Sequence, residues 1–202
     1  MDALFVFTRF PQAGCTKTRL IPALGERGAA DLQKQMTEYL LDRLTVATHP
    51  SLSMQVHFAG GTTAQMEAWI GSRFQLVPQA GGDLGDRLIA AFKQGFTSGL
   101  SKIIIIGSDC PSLEKEKISE AIALLDTHDA VIGPATDGGY YLIGLNQQRP
   151  FLFENIPWST QQVLEKTKAI ATHHRLSVAL LDTLSDIDMP EDLPLWYALQ
   201  SV

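Results

Sequence analysis

Cysteine, basic charge and long apolar runs are all scarce in this sequence, and each shortage excludes a class of protein. Its 202 residues contain two cysteines, Cys15 and Cys110, far apart in the chain, so we expect neither a disulfide framework nor a cysteine-rich metal site. Lys and Arg number 16 against 22 Asp and Glu, and the net charge of −6 argues against nucleic-acid binding by the bulk surface. No apolar run approaches the roughly 18 to 20 residues that a membrane-spanning helix needs.

The first residues lack the basic region of a secretory signal peptide and predict a strand instead. We therefore expect a cytoplasmic protein with no nucleic-acid or membrane partner. Apolar residues make up 45% of the chain and charged residues 19%, as in ordinary globular proteins. The length suits a single domain over residues 1–202.

Short β-branched or aromatic segments alternate with longer segments of helical period. Strands are predicted at 3–8, 53–59, 74–77, 102–106, 130–133, 140–143 and 177–181. Helices are predicted at 26–48, 62–70, 83–99, 112–125, 159–173 and from Met189 onward, with Ser112 as one N-cap and a capping box of Ser159 and Gln162 as another. This alternation predicts an α/β fold with a mainly parallel sheet, helices on both faces and a ligand site beyond the carboxyl ends of the strands.

Basic residues are concentrated in the segment that follows the first predicted strand. Arg9, Lys17 and Arg19 lie there together with Gly14 and Thr18. Backbone amides and hydroxyls of such a loop bind phosphate oxygens while the cations neutralise their charge. The spacing is not that of a P-loop. A merely solvated basic loop is the alternative, although basic charge is scarce elsewhere.

An aspartate follows the predicted strand of four consecutive isoleucines. Asp109 comes directly after that buried strand, where an unpaired carboxylate is costly. A divalent cation on a nucleotide prefers one or two carboxylates together with phosphate oxygens, so Asp109 is the strongest metal-ligand candidate. The alternative is an N-cap aspartate, a position for which Ser112 competes.

Three residues between the two strands near 130–143 form a turn of ambiguous meaning. Asp137, Gly138 and Gly139 permit close approach to a substrate, and they equally form an ordinary hairpin turn. Tyr140 and Tyr141 follow, and in a strand they point to opposite faces, so at most one faces the site.

Two further segments each have two interpretations. Gly82 precedes and Asp83 begins a predicted helix whose first amides can meet an anion, and Arg87 either reaches a phosphate or pairs with Asp83. Asp188 either caps the last helix or supplies a second metal carboxylate. The residues alone favour the cap for Asp188.

Together these segments resemble the DUF2064 group of GT-A-fold proteins, within the nucleotide-diphospho-sugar transferase superfamily. The group is also similar to the molybdenum-cofactor and F420-pathway nucleotidyltransferases. The matching residues occur in order along nearly the whole chain: Phe7-Thr8-Arg9, Pro11, Gly14, Lys17-Thr18-Arg19-Leu20, Gln79, Gly82-Asp83-Leu84-Gly85, Arg87, Gly107-Ser108-Asp109-Cys110-Pro111, Asp137-Gly138-Gly139-Tyr140, Trp158-Ser159-Thr160, Asp186-Ile187-Asp188, Pro190 and Asp192-Leu193.

The resemblance implies a Rossmann-like GT-A sheet, mixed by one antiparallel strand that starts near Tyr140. It also implies that Asp109 binds Mg²⁺ or Mn²⁺, and it raises Asp188 to a second metal ligand. Gln79 would join the phosphate-binding set and Trp158 the substrate-binding set. Sugar nucleotidyltransferases carry glycine and lysine where this chain has Lys17 and Ala23, which puts nucleotidyl transfer in doubt.

The resemblance makes metal-dependent glycosyl transfer from a nucleotide-activated sugar to a small acceptor the first hypothesis. Asp109, Lys17 and Arg19 would act on the diphosphate, and Asp137 would bind sugar hydroxyls or act as a base. Nucleotidyl transfer from a nucleoside triphosphate to a phosphorylated acceptor is the second hypothesis. A nucleotide-binding protein without catalysis is the third.

Overall fold

The computed structural model describes residues 1–45 and 52–200. The strands are β1 Asp2–Arg9, β2 Leu52–Ala59, β3 Gln75–Pro78, β4 Ile103–Gly107, β5 Ala130–Pro134, β6 Tyr140–Leu145 and β7 Val178–Leu180. The α-helices are α1 Ile21–Thr45, α2 Thr63–Ile70, α3 Leu84–Thr97, α4 Lys115–Leu124, α5 Val163–His173 and α6 Leu193–Gln200. None of the helices in these ranges is long and apolar enough to cross a membrane.

The seven strands form one sheet in the order β3-β2-β1-β4-β6-β5-β7. All neighbouring strands are parallel except at β6, which runs antiparallel to both β4 and β5. The predicted α/β class and the single antiparallel strand starting at Tyr140 are therefore confirmed. Because β6 is reversed, its first residue lies at the edge where the other strands end.

Alternate residues of the central strands supply two separate cores. In β4, Ile104 and Ile106 face α1, α2 and α4, whereas Ile103 and Ile105 face α3 and α5. All four side chains are at most 3% exposed, so β4 is buried on both faces, as its continuous isoleucine run predicts. The helix α6 packs through Trp196 against α1 in a third cluster.

The strand order places a crevice between the carboxyl ends of β1 and β4. From β1 the chain passes through α1 to β2 on one side, and from β3 it passes through α3 to β4 on the other. From β4 the chain passes through α4 to β5, on the side of β4 away from β1, so the loops that leave β1 and β4 lead in opposite directions along the sheet. Such a switch point is where open α/β sheets bind ligands.

Several helix boundaries differ from the sequence predictions. The predicted caps at Ser112 and Ser159 are wrong: α4 starts after Glu114 and α5 after Gln162, neither with a side-chain cap. Ser159 instead has a left-handed backbone, at φ 63°. The first residues of α1, 21–24, form a separate helical turn, and the break at Gly25, with φ 71°, agrees with the predicted start at 26. The predicted end of α1 at Thr48 lies outside the described residues.

The turn between β5 and β6 is fixed to the loop that precedes α5. Gly138 has φ 89°, and a Cβ there would lie 2.7 Å from the Cα of Gln161. The carbonyl of Gly138 accepts a hydrogen bond from Leu164 N at 2.9 Å. Glycine is thus required at position 138 for the two loops to pack together, because the backbone of Gln161 occupies the space that a Cβ would take.

Replacing Gly138 by Ala is expected to destabilise the protein more than replacing Gly99, although both have φ 89°. A Cβ at Gly99 would meet nothing within 4 Å, so Gly99→Ala should cost only the left-handed backbone, roughly 1–2 kcal/mol. Gly138→Ala must also displace Gln161, which adds about 1–3 kcal/mol. Urea unfolding of the two variants measures the difference in their free energies of unfolding. Equal losses of stability would mean that the 158–162 loop moves away from the new Cβ at no cost.

Candidate active site

A cleft of about 810 Å³ opens at the carboxyl edge of the sheet, between the ends of β1 and β4. It is lined by most of the residues singled out from the sequence: Arg9, Lys17, Thr18, Arg19, Gln79, Arg87, Asp109, Asp137, Gly139, Tyr140, Trp158 and Asp188. The structure therefore brings together segments from the whole length of the chain. Gly14, Gly82, Asp83 and Gly138 do not line the cleft.

Gly82 and Asp83 stabilise the start of α3. The Asp83 carboxylate accepts from Asp86 N at 3.0 Å, and the Asp86 carboxylate accepts from Asp83 N at 3.1 Å, which completes a capping box. Gly82 has φ 95°, and its carbonyl accepts from Arg87 at 3.1 Å. The structure places Asp83 in a helix cap and not in an ion pair with Arg87.

Lys17, Asp109 and Asp188 form an ion triad at the base of the cleft. The Lys17 Nζ lies 3.0 Å from Asp109 Oδ1 and 3.4 Å from Asp188 Oδ1. The Lys17 side chain is 4% exposed, and its ammonium also donates to the carbonyl of Ile187. Burial by itself lowers the pKa of Lys17, but the attraction of the two carboxylates outweighs it and holds that pKa above its ordinary value. Lys17 is therefore charged, and it is directed at the carboxylates.

The residues alone favoured Asp188 as the cap of the last helix, and this prediction is wrong. The carboxylate of Asp192 accepts from the backbone amides of Asp188 and Met189, at 3.0 and 2.7 Å, and takes that role. The Asp188 carboxylate is turned to Lys17 and to the more exposed Arg19. Asp109 likewise caps no helix, since Glu114 occupies the N-cap of α4.

Two cleft arginines have no carboxylate partner within the described residues. Arg9 and Arg87 form none of the ion pairs found there, although acidic residues outnumber basic ones in the chain. The Nε of Arg87 is buried and has no hydrogen-bond partner among the described residues. Among the described residues their charge is thus not neutralised by a carboxylate, which favours binding of an anionic group in the cleft.

Aromatic side chains contribute to the lining of the cleft. Tyr140 and Trp158 meet edge to face with ring centroids 6.3 Å apart. The indole packs on the start of α3, where a Cβ on Gly85 would lie 2.8 Å from its Nε1. Tyr141 points to the other face of the sheet, as predicted, and its hydroxyl donates to the carbonyl of Asp182. The lining of the cleft includes Tyr140 and Trp158, and part of Tyr141 as well.

The Asp137 carboxylate closes its own turn. It accepts a hydrogen bond from Gly139 N at 2.7 Å while lining the cleft. A second carboxylate nearby, that of Asp186, was not among the predicted site residues. Burial, followed by repulsion from Asp137 and Asp109, raises the pKa of Asp186 to about 6. Its place two residues before Asp188 was the available signal.

A buried polar cluster, also missed by sequence reasoning, lies beneath the cleft. Gln33 Nε2 donates to Ser108 Oγ at 2.9 Å and to Thr37 Oγ1 at 3.1 Å, and the Thr8 hydroxyl lies 3.0 Å from that of Thr37. All four residues are at most 4% exposed. The cluster ties α1 to the ends of β1 and β4, directly before Asp109. Two polar residues four apart on the buried stripe of α1 were the signal that pointed to it.

Asp109 and Asp188 are the residues that fit a divalent cation. A single positive atom, Lys17 Nζ, lies within 3.4 Å of both carboxylates, and their side chains are 46% and 33% exposed toward solvent. Within residues 1–45 and 52–200, no group of three or more His, Cys, Asp or Glu side chains is placed to hold a metal alone. The pair therefore suits a cation that takes its other ligands from phosphate oxygens and water, as Mg²⁺ does.

Comparison with known proteins agrees with the fold. A family model described as "Uncharacterized protein conserved in bacteria (DUF2064)" matches residues 40–160, more than half of the chain. A 3-phospho-D-glycerate guanylyltransferase of Phenylobacterium zucineum (strain HLK1) is 26% identical over 194 residues, covering 87% of this chain and 81% of that protein.

Solved structures with the same fold are also found. A crystal structure from Desulfovibrio desulfuricans G20, assigned to the nucleotide-diphospho-sugar transferases, has a TM-score of 0.91 and 30% identity, covering 98% of this chain and 87% of that one. The manganese complex of Rv0371c from Mycobacterium tuberculosis H37Rv shares the fold at a TM-score of 0.59 and 14% identity, with full coverage of both chains. The chain therefore belongs to the DUF2064 family, within the nucleotide-diphospho-sugar transferase superfamily, and is an enzyme of the transferase class.

Proposed function

We propose that this protein is a metal-dependent nucleotidyltransferase that joins a nucleoside triphosphate to a small phosphorylated acceptor and releases pyrophosphate. The observation that carries the proposal is the composition of one cleft. Two carboxylates, Asp109 and Asp188, converge on a single cation, and two arginines without carboxylate partners in the described part of the chain, Arg9 and Arg87, line the same space. This arrangement suits a triphosphate with its divalent cation.

In the proposed reaction an oxygen of the acceptor's phosphate attacks the α-phosphorus of the triphosphate. The new O–P bond forms as the bond from the α-phosphorus to the bridging oxygen breaks, and pyrophosphate leaves with the electron pair. A bound Mg²⁺ or Mn²⁺ would neutralise charge on the phosphates. Arg9 and Arg87 would neutralise the β- and γ-phosphates from the cleft wall, where fixed charges act without reorganisation.

The guanylyltransferase relative favours this reaction over glycosyl transfer, because the match covers most of both chains. It also suggests the first substrates to test, GTP and 3-phospho-D-glycerate. The structural neighbour from Desulfovibrio desulfuricans supports the competing candidate, in which a nucleotide-activated sugar is the donor and a nucleoside diphosphate leaves. The two candidates use the same phosphate site and differ in which bond breaks.

The leaving group distinguishes the two reactions. Incubation of the protein with Mn²⁺, GTP and 3-phospho-D-glycerate is expected to release pyrophosphate in an amount equal to the nucleotide consumed. A coupled pyrophosphatase assay measures this release, and omission of the acceptor serves as the control. Glycosyl transfer would be established instead if the protein released a nucleoside diphosphate from a nucleotide sugar and released no pyrophosphate from any triphosphate.

Asp109→Asn is expected to keep the fold and to abolish metal-dependent nucleotide binding. Loss of a residue that merely supports a metal ligand costs about 10–100-fold in affinity, so loss of a ligand should weaken binding by more than about 100-fold. Calorimetric titration of Mn²⁺ with GTP measures it. Asp126→Asn, which changes an exposed carboxylate paired with Lys102, is the matched control. Unchanged binding in Asp109→Asn would remove Asp109 from the metal site.

Arg9→Met and Arg87→Met are expected to weaken GTP by at least about 10-fold each, because charge-assisted hydrogen bonds contribute roughly 1.5–3 kcal/mol. Binding of guanosine, which has no phosphates, should change little. Lys93→Met is the control, since Lys93 is exposed and does not line the cleft. Equal weakening of GTP and guanosine would indicate that the two arginines support the fold of the cleft and not its phosphate site.

A further inference from the structure

Lys17 has an unusual position for a residue of a phosphate-binding loop. Its backbone is left-handed, with φ 50° and ψ 44°, although it carries a side chain. Such a conformation costs roughly 1–3 kcal/mol and persists only where the surroundings determine it. Here it turns the side chain away from solvent, so that Lys17 is 4% exposed while Arg19, two residues later, is 56% exposed.

The Lys17 ammonium has three acceptors within the protein. They are the Asp109 carboxylate, the Asp188 carboxylate and the carbonyl of Ile187. A lysine ammonium has three hydrogens to donate, and among the described residues Lys17 donates to Ile187 and Asp188 and forms an ion pair with Asp109. A phosphate oxygen can be bound by Lys17 only if one of these contacts is given up.

The three acceptors come from two loops that are otherwise separate in sequence. Asp109 follows β4, whereas Ile187 and Asp188 precede the 3₁₀ turn at Pro190–Asp192. The loops share one backbone hydrogen bond, from Ile187 N to the carbonyl of Asp109 at 2.8 Å. With the loops joined in this way, the carboxylates of Asp109 and Asp188 both lie within 3.4 Å of Lys17 Nζ. Two negative charges that close to one point repel each other unless a cation lies between them.

We propose that Lys17 is a positioning residue: its ammonium acts as the resident counter-cation that holds Asp109 and Asp188 together, and a divalent cation can replace its charge. The carboxylate pair is then formed before nucleotide or metal arrives, and the phosphates are left to Arg9, Arg19 and Arg87. The part concerning the divalent cation rests on the proposed function. The bridging role of Lys17 does not.

The bridging role is tested without metal, by a double-mutant cycle in EDTA with Lys17→Met, Asp109→Asn and the double variant. Lys17→Met is expected to lower the Tm by roughly 10 °C, because it removes the cation between two carboxylates and leaves Asp109 without Lys17 and Asp188 with the exposed Arg19. The double variant should recover part of that loss, so that the two changes are far from additive. If Lys17→Met does not fold, the double variant should still fold. Additive losses, or a double variant less stable than either single one, would overturn the bridging role.

The replacement of Lys17 by metal is tested with Mn²⁺ alone. Mn²⁺ should raise the Tm of Lys17→Met by several degrees more than that of the wild type, and it should not raise the Tm of the double variant. A merely structural lysine gives no such recovery. Lys102→Met is the matched control, because Lys102 Nζ also contacts a carboxylate and a carbonyl, those of Asp126 and Ile122, away from the cleft.

The outcomes separate this inference from the proposed function. If Mn²⁺ stabilises the wild type with GTP but does not restore Lys17→Met, the role assigned to Lys17 is overturned while the metal site stands. That role is also overturned if Lys17→Met keeps its stability and loses binding of pyrophosphate, since Lys17 is then a phosphate ligand. If neither protein responds to Mn²⁺, the proposed metal site fails, and the cycle in EDTA alone supports or overturns the bridging role.

Discussion

The ion triad of Lys17, Asp109 and Asp188 is the interaction on which the candidate site depends. It joins residues 171 positions apart in the chain at one edge of the sheet. A buried ammonium and two half-exposed carboxylates satisfy each other there, which avoids the several kcal/mol that an unpaired buried charge costs. Because the triad fixes the loops after β1 and β4 and the segment before α6, the geometry of the cleft follows from it.

The sheet topology explains why the charged residues meet. Parallel strands bring all their carboxyl ends to one edge, and the crevice between β1 and β4 is the point where the chain changes direction. The reversed strand β6 adds Tyr140 to the same edge, so that the Tyr140–Trp158 pair lines the cleft together with the basic loop. Beneath them, the polar cluster of Gln33, Thr37, Thr8 and Ser108 ties α1 to both central strands. The cleft is thus supported from below by hydrogen bonds and closed at its base by the triad.

The charges of the cleft are divided between two tasks. Lys17, and in part Arg19, are occupied by carboxylates, whereas Arg9 and Arg87 have no carboxylate partner in the described part of the chain. A phosphate group entering the cleft therefore meets arginines whose charge is not already neutralised. Position 17, where the resemblance implies a glycine in sugar nucleotidyltransferases, has a left-handed backbone here, a conformation that glycine adopts without strain.

Much of the fold was determined by the sequence alone, because period and composition are local properties. The isoleucine run of β4, the alternation of strands and helices and the position of Asp109 after a buried strand all predicted what the structure contains. Only the tertiary structure decided what each polar side chain meets. Asp192 and not Asp188 caps the last helix, Gly138 makes room for Gln161, and Lys17 faces carboxylates and not the open cleft. The Asp192 cap is itself a local contact, but Asp188 faces Lys17, 171 positions away, and Gly138 meets Gln161 of another loop. Local spacing does not encode partners that are distant in sequence.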